Sequence, residues 1–190
     1  MIVREQIGNI LKPKSDSDIK RDLDKLDPND ILRLGVTKNI TWIVKYALDR
    51  GADPSFDAVS LYYSCSNGNI DIVKILLKDK RVDVNYLNGV ALRWASAKGF
   101  DDIVILLLKA GADASIEECE AFRRAAENGH FTTLKILEPY SDITVMNNYA
   151  IRIAASRGEY DVVKYLYAKV KNTLDDRYIE WFESYLQNEK

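Results

Sequence analysis

Cysteine and histidine are scarce in this chain of 190 residues, which holds two cysteines and one histidine. Cys65 and Cys119 lie far apart and outside any CxxC arrangement, which argues against a disulfide framework and a structural zinc site. His130 has no partner residues with which to build a catalytic triad or a metal site, so a structural role is favoured. We therefore predict no cofactor, no bound metal and a reducing compartment, the cytoplasm.

Long apolar runs and an excess of one charge are missing as well. No stretch approaches the roughly 18 apolar residues that cross a bilayer, and residues 1–5 lack the apolar core of a signal peptide. We expect a soluble protein that is not secreted by that route. Lys plus Arg number 27 and Asp plus Glu number 29, a formal net charge of −2. That balance argues against a membrane or nucleic acid as partner.

Catalytic and nucleotide-binding motifs are also absent. The sequence has no GxxxxGK[ST] phosphate loop, no GxGxxG fingerprint and no GxSxG elbow. Glu117, Glu118 and Glu120 surround Cys119, and their negative charge disfavours a reactive thiolate. These acids lack the liganding spacing of an EF-hand, so a solvated turn is favoured over a cation site. We predict no catalytic residue and no enzyme.

Self-similarity, in contrast, runs through most of the chain. A glycine or asparagine followed by an apolar segment recurs every 29 to 31 residues, at Asn39, Gly68, Gly99, Gly129 and Gly158. Upstream of each marker lie an apolar anchor and a pair of small residues on one helical face. The anchors are Leu32, Leu61, Leu92, Phe122 and Ile151, and the pairs begin at Gly35, Ser64, Ala95, Ala125 and Ala154. Each unit is predicted to be a helix, a turn and a second helix.

After the second predicted helix come phrases such as Gly51-Ala52-Asp53-Pro54 and Gly111-Ala112-Asp113-Ala114. Together with the glycine phrase they resemble the ankyrin repeat over about residues 27–170. The resemblance implies an all-α ankyrin-repeat solenoid of helix-turn-helix units with N- and C-terminal capping helices. The implied division is an N-terminal segment and cap at 1–26, five repeats at 27–55, 56–86, 87–116, 117–145 and 146–170, and a C-terminal cap at 171–190.

Both predicted caps have helical patterns of their own. Ser15 can cap a helix whose apolar stripe includes Leu23. At the other end, Tyr178, Trp181, Phe182 and other apolar residues form one stripe. A cap packed on the last repeat is favoured there, and a docking helix for a partner remains open.

The sequence departs from the ankyrin pattern in several ways. Its units are short, so the projecting fingers are expected to be trimmed. Arginine replaces the histidine of the family at Arg33, Arg93, Arg123 and Arg152. These arginines either bond to carbonyls of the next loop or form a line that contacts an acidic ligand. Pro139 ends the fourth second helix early, and we expect a break near residues 138–140.

Two further positions concern packing. Trp94 and Tyr63 occupy a position that the family uses between repeats, so we expect them to be packed. Arg124 occupies the same position, and it must either distort its repeat or reach an acid such as Glu127 or Glu120.

In ankyrin proteins the partner contacts loop tips and first helices on the concave side. The resemblance therefore implies a non-catalytic protein-protein interaction module, with nucleic acid or another acidic ligand on the arginine line as the alternative. Phrases at 91–96 and 147–152 resemble the short repeats of giant DNA viruses, which implies a viral protein acting on a host factor in the host cytoplasm. The implied partner-binding residues are Phe56, Ser66, Asn67, Tyr86, Leu87, Ala97, Lys98, Ile116, Glu127, Asn128, Val145, Met146, Ser156 and Arg157.

Overall fold

The structure is a computed structural model that describes residues 15–55 and 59–188. Every regular element in these residues is a helix and none is a strand, so the predicted all-α class is confirmed. The chain divides into two units, Met1–Asp83 and Val84–Lys190, and each is described by itself.

The first unit contains five described helices. They are α1 (Asp16–Leu23), α2 (Pro28–Thr37), α3 (Thr41–Asp49), α4 (Val59–Ser66) and α5 (Ile70–Leu76). The Ser15 side chain caps α1, as predicted, by accepting from the Asp18 N–H. Asp27 caps α2 in the same way, with Pro28 as its first residue.

Helix α1 is tied to α3 through its C-terminal end. Arg50 donates from Nη1 to the Leu23 carbonyl at 3.2 Å and from Nη2 to the Asp24 carbonyl at 3.3 Å. The Tyr46 hydroxyl donates to the Asp24 carboxylate. Leu23 is fully buried. The carbonyls at this helix end thus gain donors from a neighbouring helix.

The first helix pair is built around Gly35. A Cβ atom at Gly35 would lie 2.8 Å from both the backbone nitrogen and Cγ2 of Val44. Only glycine allows α2 and α3 to come this close. Between the helices, Asn39 adopts a φ of 55°, the left-handed conformation that its sequence position predicts. The small residue is therefore a packing requirement of this pair.

Replacing Gly35 with alanine should lower the free energy of unfolding by about 1–3 kcal/mol, because the backbone of Val44 cannot move away cheaply. Urea unfolding followed by circular dichroism measures the loss. Lys45→Ala, at an exposed position of α3, is the control and should change stability by less than about 0.5 kcal/mol. Equal stabilities for the two variants would contradict the packing argument.

The second unit contains seven described helices and two 3₁₀ turns, at Glu138–Tyr140 and Lys171–Thr173. The helices are α6 (Tyr86–Ala97), α7 (Asp101–Lys109), α8 (Ile116–Glu127), α9 (Phe131–Leu137), α10 (Val145–Arg157), α11 (Tyr160–Val170) and α12 (Asp176–Asn188). Helix α8 packs against α6 and α10, and α11 packs against α10 and α12. The anchors Leu92, Phe122 and Ile151 are buried, as predicted.

A left-handed turn of three residues opens each first helix of this unit. The turns comprise residues 87–89, 117–119 and 146–148, with φ between 48° and 68° at every position. Such residues cost roughly 1–2 kcal/mol each unless they are glycine or asparagine. The third residue of each turn, Gly89, Cys119 or Asn148, is buried and donates its N–H to the residue four positions back. These compact turns form the N-terminal ends of the first helices, in keeping with the trimmed fingers that the sequence predicts.

An aspartate leads into two of these turns. The Asp113 carboxylate accepts from the Ser115 hydroxyl at 2.7 Å and from its N–H at 2.8 Å. Asp142 accepts from Thr144 at 2.7 and 2.9 Å in the same arrangement. These hydrogen bonds lower the pKa of both carboxyl groups. The entry to the turn is therefore fixed by side chains before the left-handed residues begin.

The recurring arginines hold the left-handed turns. Arg123 donates to the carbonyls of Glu118 at 3.0 Å and Glu117 at 2.8 Å. Arg152 donates to the carbonyls of Asn147 at 3.2 Å and Met146 at 2.9 Å. Every bonded carbonyl lies five or six residues before its arginine, so the expected bond to the next loop is wrong. The reason is that the left-handed turn aims its carbonyls back at its own helix.

Arg93 follows the same pattern with one bond, from Nη2 to the Leu87 carbonyl at 3.1 Å. In the first unit, Arg33 instead pairs with Asp30 of its own helix at 3.4 Å.

Arg123→Met should destabilise the chain by about 1.5–3 kcal/mol, because two charge-assisted hydrogen bonds to the turn are lost. Arg123→Lys should recover only part of this, since one ammonium group cannot reproduce the planar fork. Thermal and urea unfolding of both variants measure the effect, and Lys164→Met at an exposed position of α11 serves as the control. Full stability of Arg123→Met would contradict the proposed role.

Helix α9 ends at Leu137 and passes into the 3₁₀ turn at Glu138–Tyr140, so the predicted early end is confirmed. The expected break there is wrong. The Glu138 carboxylate accepts from the Tyr165 hydroxyl and pairs with Lys169 at 2.6 Å, both on α11. These contacts fix the turn to the next second helix, within one compact unit.

Candidate protein-binding surface

The partner-binding residues predicted in the first unit lie at the end of α4. Asn67 is exposed and Ser66 is half-buried, with its hydroxyl donating to the Tyr63 carbonyl at 3.2 Å. Phe56 lies outside the described residues. Tyr63 is 41% exposed, so its expected packing is wrong, and its ring lies 5.0 Å from that of Tyr62.

In the second unit the predicted loop-tip residues divide into two groups. Tyr86, Leu87 and Met146 are exposed, with Leu87 reaching 57%. Ile116 and Val145 are half-buried. A Cβ atom at Gly89 would lie 3.6 Å from Ile116 Cδ1, so this side chain lies over the left-handed turn of the preceding pair. The turns thus present some apolar side chains to solvent and use others to cover their neighbours.

The predicted residues at the first-helix ends are mostly polar and partly bonded to one another. Arg157 pairs with Glu127 at 2.6 Å, which joins α10 to α8. The other members are Ala97, Lys98, Asn128 and Ser156, of which Ala97 is half-buried and the other three are exposed. The structure therefore brings Glu127 and Arg157 together and leaves Lys98 at the surface.

His130 has the structural role that the sequence predicts. Its Nε2 lies 3.1 Å from the Ala97 carbonyl, at the end of the preceding first helix. A Cβ atom at Gly99 would meet the imidazole ring at 2.6 Å, so the glycine leaves room for the ring. The histidine thus joins two neighbouring helix pairs.

Trp94 is the surface residue that sequence reasoning missed. It is 43% exposed, although it was expected to be packed between repeats. Across from it lies Arg124, and the two help to line a small cleft of about 40 Å³. The Arg124 guanidinium lies toward solvent and Glu120, and part of the indole stays exposed. Arg124, the arginine at the equivalent position of the next repeat, is the sequence signal that could have revealed this exposure.

Glu120 is the electrostatic centre of this cleft. It pairs with Arg93 at 2.6 Å and with Arg124 at 2.9 Å. Of the alternatives left open for Arg124, the structure therefore shows the ion pair with Glu120. Burial alone would raise the pKa of Glu120, but hydrogen bonds and charge from both guanidinium groups outweigh it and lower the pKa. The exposed indole therefore lies beside one carboxylate and two guanidinium groups that hold each other in position.

The other predicted chemical groups are taken up by the fold. Glu117 accepts from Asn88 Nδ2 at 2.6 Å. Within residues 15–55 and 59–188, no group of three His, Cys, Asp or Glu side chains could hold a metal ion. Both cysteines are buried free thiols, and burial raises the pKa of Cys65 far above its usual value.

Glu120→Gln should lower the free energy of unfolding by about 1–3 kcal/mol near neutral pH, because Arg93 and Arg124 lose their carboxylate. The folded pKa of Glu120 lies below the unfolded one, so the ionised form stabilises the fold above about pH 4.3. This contribution is lost as the pH falls through the folded pKa. The stability gap to the wild type should therefore shrink in acid.

Urea unfolding between about pH 7 and pH 3 measures that gap. Glu180→Gln, at an exposed position of α12, is the matched control. A gap for Glu120→Gln that stays constant down to pH 3 would show that the ion pairs do not stabilise the fold.

No helix in the described part of the chain is long and apolar enough to cross a bilayer.

Comparisons with known proteins agree with the helix-pair architecture. Palmitoyltransferase AKR1 of Kluyveromyces lactis is 30% identical over 126 residues, which cover 59% of this chain and 17% of that protein. The chain thus spans a small part of that relative's length. A family model described as ankyrin repeats (3 copies) matches residues 32–118 and 92–176, and since these cover most of the chain, it belongs to the ankyrin-repeat family.

Proposed function

We propose that this chain is a non-catalytic module that binds another protein through its first-helix surface. In the second unit we define this surface as the turns and the exposed or half-buried first-helix positions: Tyr86, Leu87, Trp94, Ala97, Lys98, Ile116, Glu127, Asn128, Val145, Met146, Ser156 and Arg157. In the first unit its counterparts are Ser66 and Asn67. Ankyrin repeats generally mediate protein-protein interaction, which supports a protein as the partner.

One observation carries the proposal. Four large apolar side chains of the second unit, Tyr86, Leu87, Trp94 and Met146, are exposed on the turns and first helices. Exposed apolar patches typically mark an interaction surface, and these four side chains all lie on the turns and first helices. Tryptophan and tyrosine are also the residue types that most often dominate binding energy at interfaces. Lys98, Asn128 and Arg157 supply the polar surroundings that such interfaces have.

The alternative partner, nucleic acid or another acidic ligand on the arginine line, receives less support. Three of these arginines donate hydrogen bonds to carbonyls of their own turns, namely Arg93, Arg123 and Arg152. Arg93 also pairs with Glu120. A guanidinium group committed in this way has fewer donors left for phosphate or carboxylate.

We also propose the repeat boundaries and the setting in which the module works. Among the described residues of 27–170 there are five helix pairs, in keeping with repeats at 27–55, 56–86, 87–116, 117–145 and 146–170, with caps at 1–26 and 171–190. The resemblance to short repeats of giant DNA viruses supports a viral protein acting on a host factor. Two buried free cysteines suit the host cytoplasm.

The test begins with affinity purification and mass spectrometry from expressing cells, and the recovered partner is then titrated by calorimetry. Trp94→Ala should weaken binding at least tenfold, and Lys98→Glu should weaken it as well. Trp42→Ala is the matched control, since Trp42 is 37% exposed but lies on the second helix α3. At position 157 of the same surface we prefer Arg157→Gln to Arg157→Glu as the test variant, because a glutamate at that position would repel Glu127.

Circular dichroism verifies that each variant folds. Undiminished binding by both Trp94→Ala and Lys98→Glu would refute this surface assignment. Weaker binding by Trp42→Ala alone would place the partner on the second helices.

A further inference from the structure

A groove of about 540 Å³ lies between the end of α10 and helix α12 in the second unit. Its volume falls in the range that accommodates a few side chains or a small ligand. The lining residues are Arg152, Ala155, Ser156, Arg177, Tyr178, Trp181 and Phe182.

One side of the groove is aromatic and held in place. Phe182 is fully buried and anchors α12. Trp181 is 50% exposed, with its ring centroid 4.8 Å from that of Phe182 in an edge-to-face arrangement. Trp181 also stacks on Tyr185 at 5.5 Å, with 22° between the ring planes. The indole is therefore a supported platform with a free portion facing solvent.

The groove carries positive charge. Arg152 and Arg177 both line it, and none of the described lining residues has a carboxylate. Arg152 is held in position because Nε and Nη2 bond to the turn carbonyls of Asn147 and Met146, which leaves Nη1 outside those bonds. Its guanidinium also lies 5.6 Å from the Tyr149 ring centroid. Arg177 is exposed on the first turn of α12.

We infer that this groove binds an acidic linear segment of a partner protein, in which a large apolar side chain lies beside one or two carboxylates. The apolar side chain packs against Trp181 and Phe182. The carboxylate pairs with Arg177 and the free donors of Arg152, a geometry for which guanidinium groups are well suited. This inference rests on the proposed function, because it names the class of segment that the protein partner presents.

A peptide fits the groove better than a nucleic acid does. Stacking on Trp181 would suit a base, but a nucleic-acid strand is bound along a track of cations that follows its phosphates. Here the two arginines belong to one short groove, and Arg157 beyond Ser156 is paired with Glu127.

The experiment selects peptides from a random dodecapeptide phage library against the whole chain. We expect recovered peptides to carry acidic residues beside a large apolar residue. The strongest is synthesised with a fluorescein label, together with a counterpart in which asparagine and glutamine replace its acids. In fluorescence anisotropy, Arg177→Glu should weaken the acidic peptide at least tenfold, and the amide counterpart should bind the wild type at least tenfold more weakly.

Trp181→Ala should also weaken binding at least tenfold, while Arg177→Glu, at an exposed position, keeps the packing of α12 intact and remains decisive if the alanine variant is unstable. Lys164→Glu and Trp42→Ala are the controls and should bind normally. A library without acidic enrichment, or a peptide insensitive to Arg177→Glu, overturns the inference. So does tighter groove-dependent binding of a labelled oligothymidylate, or sedimentation showing that a second copy fills the groove.

The partner recovered by affinity purification separates this inference from the proposed function. Binding that fails with Trp94→Ala and is unchanged by Arg177→Glu overturns the groove and retains the first-helix surface. Binding that fails with Arg177→Glu alone supports the groove and removes the first-helix surface.

Discussion

The bond between each recurring arginine and its own left-handed turn is the interaction on which the second unit depends. Three consecutive left-handed residues are costly, and in the turn at residues 117–119 none of them is glycine or asparagine. Arg123, further along the same helix, donates to the carbonyls of Glu117 and Glu118 in that turn. The turn can then be short, because an arginine fixes it locally and no projecting hairpin is needed.

The hydrogen bonds between each arginine and its turn also bear on which side chains are available for binding. Leu87 and Met146 are the first residues of their turns, and both are exposed while the third residue of each turn is buried. An arginine that holds the turn is no longer a free cation, which weakens the case for a polyanionic ligand. Arg152 differs from the other two arginines, because its guanidinium bonds to the turn and also lines the groove beside α12.

Much of the architecture could be predicted from the sequence, because packing leaves periodic marks. The anchors, the small pairs, the asparagine turn at Asn39 and the helix end at Leu137 all follow from spacing and residue type. Gly35 was harder to interpret, since a glycine in a helix usually weakens the prediction. Its purpose becomes visible only when the Val44 backbone is placed beside it.

The surface could not be predicted as well, because exposure depends on what a neighbouring helix offers. Trp94 was expected to be packed, yet it is 43% exposed. The nearby Arg124 bonds to Glu120. The direction of the arginine bonds was also missed, since a run such as Glu117-Glu118-Cys119 carries no signal for left-handed backbone. Both errors concern the surface where we propose that a partner binds.

Hydrogen–deuterium exchange of the chain with and without its partner tests the central claim most directly. Binding to the first-helix surface predicts slower exchange of amides in residues 86–98, 116–128 and 145–157, with α7, α9 and α11 unchanged. Protection confined to α7, α9 and α11 would contradict the account.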